Sequence, residues 1–109
     1  DRVAEALQCA EESLELFRAG GSREGEVLAL QTLVQAHLRA GAAEEALRVA
    51  DEGLRAFRAA GNAAGEAAAL GMQLAVHVAL NDSDRAAQTA RDAAAAYKAA
   101  GDGLNEAKM

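Results

Sequence analysis

The chain reads as an all-α protein built of stacked, repeated helices, and three observations carry that reading. The segment Glu45 to Gly61 (EALRVADEGLRAFRAAG) is echoed forty residues earlier at Glu5 to Gly21 (EALQCAEESLELFRAGG) and forty later at Arg85 to Gly101 (RAAQTARDAAAAYKAAG). Residues 5–44 and 45–84 agree at fifteen of forty positions, and only four of those are alanine, so an alanine-rich composition does not account for the match. Self-similarity at a period of about 20 to 50 residues marks a stack of like units. Within each copy the apolar residues recur at intervals of three and four, the period of one helical face. Finally, there is no proline in 109 residues to interrupt helices.

The stops divide the copies into elements. Gly21, Gly61 and Gly101 each follow a helical stretch, where a residue free to take positive φ ends a helix at little cost. Ser22, Asn62 and Asp102 come next, and all three are good N-cap residues. A second break falls at Gly41 and Asn81, after which Asp82 or Ser83 caps the next helix; Ala42 makes that start weaker in the earlier copy. The predicted helices are 2–19, 23–40, 43–60, 63–80 and 83–100, with 103–109 as the frayed start of a sixth. In 43–60 the buried face is Ala46, Leu47, Ala50, Leu54 and Phe57; in 23–40 it is Val27, Leu30, Leu33, Val34, His37 and Leu38. Gly25 and Gly65, in the first turns of their helices, either admit a close neighbour or are merely tolerated there. Connections of two or three residues turn successive helices antiparallel.

Composition sets the limits on function. Half the residues are hydrophobic (51%), but alanine supplies most of them and only 3% are aromatic, so close helix packing has to replace bulky side chains. A net charge of −6 argues against nucleic acid, whose binders need a basic stripe, and against docking on an anionic bilayer. No apolar run nears the ~18 residues of a membrane span and no signal peptide is present. The expectation is a soluble chain of an intracellular or organellar compartment. Cys9 is the single cysteine, so no internal disulfide forms. Its counterparts are Val49 and Thr89, which predicts a small buried side chain. The chain opens on Asp1 and not on Met, and is expected to be a piece of something longer.

At the level of residue pattern the copies resemble the tetratricopeptide repeat family. The copy beginning near Val27 gives Leu30, Leu33, Val34 and His37, then Gly41, Ala46, Ala50 and Leu54. The next gives Leu70, Gln73, Leu74 and His77, then Asn81, Asp82, Ala86 and Ala90. The period is 40 residues instead of the usual ~34, which is similar to the longer variety of the family; the segment GNAAGEAAAL (Gly61 to Leu70) looks like the element that lengthens it. The resemblance implies a right-handed α-solenoid of antiparallel helix pairs forming one domain over 1–109. Residues 1–21 would be the second helix of a partial repeat, 22–61 and 62–101 full repeats, and 102–109 the start of another.

In such arrays the first helix of each pair lines a concave face that takes a peptide or a partner helix. The resemblance places Leu28, Gln31, Gln35, Leu38 and Arg39 there in one copy, and Ala68, Gly71, Met72, Ala75, Val78 and Ala79 in the next. The second set could equally be a packing surface. The lysine and asparagine clamp by which some members hold a terminal carboxylate is missing, and no such clamp is expected.

Chemistry is not expected. His37 and His77 match across copies and take the slot where the family has an aromatic, so both read as half-buried packing residues. A shared metal would need them within about 2.0–2.1 Å of one ion, whereas successive repeats lie about a helix diameter apart. Adjacent carboxylates such as Glu11 and Glu12, or Glu44 and Glu45, point in different directions and suit a solvent face or a helix start. Phosphate loops, nucleophile elbows and zinc-protease motifs are missing, so no cofactor, metal site or enzymatic activity is expected. Two readings stand: a scaffold that binds a protein or peptide on its concave face, or a structural subunit or solenoid fragment of a large, for instance organellar, assembly. The second would include end-to-end stacking with itself or another subunit, since neither end carries a polar capping repeat.

Overall fold

The structure, a computed structural model, describes the backbone of residues 2–108 and the side chains of residues 2–101. Five helices follow one another, with no strand among the described residues: α1 (Arg2–Gly20), α2 (Arg23–Arg39), α3 (Ala43–Ala60), α4 (Ala63–Ala79) and α5 (Ser83–Lys108). Each packs on the next, and α2 also packs on α4; among the described residues no other pair of helices brings its backbones close together. The molecule measures 50 × 37 × 19 Å, so its short dimension is about two helix diameters.

The four turns are where the residues say they should be. Gly21, Gly41 and Gly61 have φ of +73°, +77° and +69°, and Asn81 has +57°. At α3's end the Gly61 N–H donates to the Arg58 carbonyl and the Asn62 N–H to the Phe57 carbonyl; the same pair of bonds joins Gly21 to Arg18 and Ser22 to Phe17. This left-handed closure satisfies carbonyls that the ending helix would leave without partners. The next helix starts at once. Ser22 Oγ accepts from the Gly25 N–H at 3.1 Å, Asn62 Oδ1 from the Gly65 N–H at 3.1 Å, and Asp82 Oδ1 from the Arg85 N–H at 3.2 Å. Ala42 provides no such bond to α3. Asn62→Ala is accordingly expected to cost about 1 kcal/mol, measured as a lower urea midpoint with unchanged slope.

Gly25 and Gly65 admit close neighbours. A methyl group on Gly65 would lie 2.5 Å from Phe57 Cδ1, and one on Gly25 would overlap the Phe17 ring. The aromatic ring of the ending helix thus lies against the first turn of the following one, eight residues on, in both copies. An ion pair spans the same turn each time: Arg18 to Glu26 at 3.1 Å and Arg58 to Glu66 at 2.9 Å.

Burial concentrates in the three middle helices. Leu30, Leu33 and Val34 of α2, Val49, Leu54 and Phe57 of α3, and Leu70, Met72 and Val76 of α4 form one core, joined by Ala10 and Leu14 of α1 and Ala93 of α5. Ala46, Ala50, Ala67 and Ala69 are wholly buried. Small side chains let the helix axes close up, and Gly53 does so most directly, since a methyl there would sit 3.1 Å from Leu30 Cδ1. Val27, Leu38 and Leu47 are partly buried against this core.

The expectations at Gly101, Asp102, residues 103–109 and Cys9 are corrected. Gly101 does not stop a helix: α5 continues through it to Lys108, so there is no separate sixth helix over 103–109, and Asp102 is not an N-cap (Met109 lies outside the described residues). The position matching Gly25 and Gly65 is Asn105, so the glycine that admits the ring at the earlier turns is not repeated in the sequence. A glycine inside a helix costs only about 1 kcal/mol, too little to break it alone. Cys9 is exposed and not buried, although Val49 and Thr89 are both buried. The reason is that α1 is closely packed against α2 alone. For the same reason the three matched aromatics differ: Phe57 is 2% exposed, Phe17 36% and Tyr97 57%.

Candidate functional site

The contact of α2 with α4 across the sequence of α3 creates a groove. Its walls come from stretches that hold no Asp, Glu, Lys or Arg: residues 27–38 of α2 and 67–81 running to the end of α4. Gln31, Gln35 and Leu38 from α2 face Ala68, Gly71, Met72 and Ala75 from α4 around a cavity of about 330 Å³, with Val34 below and Tyr97 of α5 at the side. A methyl on Gly71 would lie 3.5 Å from the Tyr97 hydroxyl, so the missing side chain opens the cavity to that ring. Met72 is buried at its floor, while Gln35 and Ala75 are exposed at its rim. Such a surface, about equally apolar and polar through two amides and one phenol, suits an uncharged apolar side chain flanked by main-chain hydrogen-bonding groups.

The positions expected to line a concave face divide in two. Gln31, Gln35, Leu38, Met72 and Ala75 share this cavity, together with Ala68 and Gly71. Leu28, Val78 and Ala79 are exposed but line no part of it, and Arg39 lines a second, adjoining cleft. That cleft, of about 170 Å³, lies between the start of α1 and the end of α2, and Gln35 borders both cavities. Tyr97, Arg2, Val3 and Ala6 were not legible as lining residues, since helical periodicity assigns a face to its own helix and is silent about a neighbour's reach.

Charge sits elsewhere. Arg48 on α3 bridges Glu45 and Glu52, at 3.0 and 2.7 Å. The hydrogen bond to Glu45, then that to Glu52, holds its guanidinium above the ordinary arginine range. The group is exposed, and such pairs on a helix surface add little stability.

His77 is 7% exposed, and its Nδ1 has no hydrogen-bond partner. It borders a polar hollow with Asp51, Arg85, Gln88 and Thr89, where the Asp51 carboxylate accepts from the Gln73 amide. His37 is partly buried. Among the described residues no three His, Cys, Asp or Glu side chains gather where they could hold a metal ion, and no helix is long and apolar enough to cross a membrane. Comparison with known proteins returns no matching family model, no curated relative and no matching solved structure.

Proposed function

We propose that the chain is a tetratricopeptide-like segment, a right-handed solenoid of helix pairs, and that it acts as a non-catalytic scaffold. The groove between α2 and α4 receives a peptide or a partner helix. The observation that carries this reading is the grouping of Gln31, Gln35, Leu38, Met72 and Ala75 around one uncharged cavity, in a chain whose acidic surface lies on other faces. The turn geometry repeated at forty residues and the contact of α2 with α4 support the repeat architecture.

The test is selection of binders from a random twelve-residue phage-displayed library, followed by titration of the enriched peptides in fluorescence anisotropy. Ala75 is exposed at the rim, so Ala75→Glu should leave helicity intact and weaken the selected peptides at least tenfold. Ala94→Glu, on α5, should leave them unchanged. Peptides indifferent to Ala75→Glu would place binding elsewhere and end the proposal.

A second reading is favoured by α1, whose Leu16 is 73% exposed beside the half-exposed Phe17. An apolar flank of this kind suits a subunit held by its end within an assembly. Concentration-dependent self-association abolished by Leu16→Lys, seen by light scattering, would support that reading over the first.

A further inference from the structure

We infer that the occupant of the groove carries a side-chain carboxylate, received by Arg2 and Arg39, next to the apolar side chain received by Met72, Ala75 and Tyr97. This rests on the groove reading and names the chemistry of its ligand.

The observation is the cleft that adjoins the groove. Arg2 and Arg39 line it from α1 and α2, with no Asp or Glu among the lining residues. Of the other arginines, Arg18, Arg48, Arg58 and Arg85 pair with a carboxylate, at 2.7 to 3.4 Å, whereas Arg23, Arg55 and Arg91 make no ion pair with a described residue. Neither Arg2 nor Arg39 makes an ion pair with a described residue, and both are exposed.

The rest of the lining is suited to an acidic side chain. Val3, Ala6 and the buried Ala36 give an apolar floor on which methylene groups can lie. The Gln35 amide makes no hydrogen bond with a described residue and borders both the cleft and the groove. The Thr32 hydroxyl is already spent on the Leu28 carbonyl at 2.9 Å, leaving the arginines and Gln35 as the donors that face an incoming anion. Guanidinium groups bind carboxylates through paired, charge-assisted hydrogen bonds, and a basic end beside a neutral groove fixes the direction in which a segment lies.

Spacing follows from α2. Gln31 and Arg39 are eight residues apart on one helix, a rise of about 12 Å. A ligand would therefore carry its acid on the order of 10 Å from its apolar anchor. That is about seven residues along a helical ligand or about three along an extended one.

The experiment uses the peptides enriched on the whole chain, amidated at the C-terminus so that only side-chain carboxylates are present. Asp or Glu should recur at a fixed spacing from an apolar residue. Replacing that acid by its amide should weaken binding at least fivefold. Arg39→Gln should produce the same loss for the acidic peptide and none for its amide version, and the acidic peptide alone should weaken as salt is raised. If enriched peptides are blocked by Ala75→Glu but indifferent to the acid-to-amide change, the groove stands and the inference falls. If no peptide is enriched, or none responds to Ala75→Glu, both fall.

Discussion

Phe57→Ala is expected to lower the unfolding free energy by about 3–5 kcal/mol, the usual cost of truncating a buried aromatic. Its ring is 2% exposed and lies against Gly65 at the start of α4, with Gly53 behind it. Removing it opens a cavity at the junction of α3 and α4, where Gly53 and Gly65 have no side chains to swing into the gap. For a chain of this length, total stability is about 5–15 kcal/mol, so the loss is a large share of the whole. The matched substitutions Phe17→Ala and Tyr97→Ala should cost much less, because those rings are 36% and 57% exposed. Urea titration followed by far-ultraviolet circular dichroism orders the three. A loss below 1 kcal/mol for Phe57→Ala would contradict its placement in the core.

Gly65→Ala should destabilise by about 1–3 kcal/mol, although alanine is the better helix former by about 1 kcal/mol. The added methyl would fall 2.5 Å from Phe57 Cδ1, 2.6 Å from its Cγ and 2.7 Å from the capping Asn62 Nδ2. The ring is enclosed and cannot yield without moving α3 away from α4. Gly25→Ala makes the same collision with Phe17, but there the partly exposed ring can turn outward, and the helix-propensity gain offsets most of the cost. The comparison isolates confinement of the ring from the clash itself. Equal effects at the two sites, read from denaturant midpoints, would show that confinement is not the cause.

These two residues also show what the sequence could and could not disclose. The stops at Gly21, Gly41, Gly61 and Asn81 were legible because positive φ is a property of the local chain, and so were the caps at Ser22, Asn62 and Asp82. Phe57 was legible as core because it lies in the middle copy, with helices on both sides. Cys9 was misjudged because a repeat position predicts burial only where another helix packs over it, and Gly101 because a glycine alone does not end a helix. The groove was partly legible. Helical period and family pattern put Gln31, Gln35, Leu38, Met72 and Ala75 on one side, and they share a cavity. Leu28, Val78 and Ala79 share the stripe without sharing the hollow. Depth depends on how far α2 and α4 sink against each other, which no single helix encodes.

The pattern of helix contacts has a kinetic consequence. Since α1 packs closely only on α2, and α5 only on α4, every close packing interaction except that of α2 on α4 joins neighbours in sequence, the condition under which proteins collapse quickly. Separate ends also mean separate fates: either terminal rod can peel away while α2, α3 and α4 hold together, so strain applied at one extremity dies out before it reaches the other.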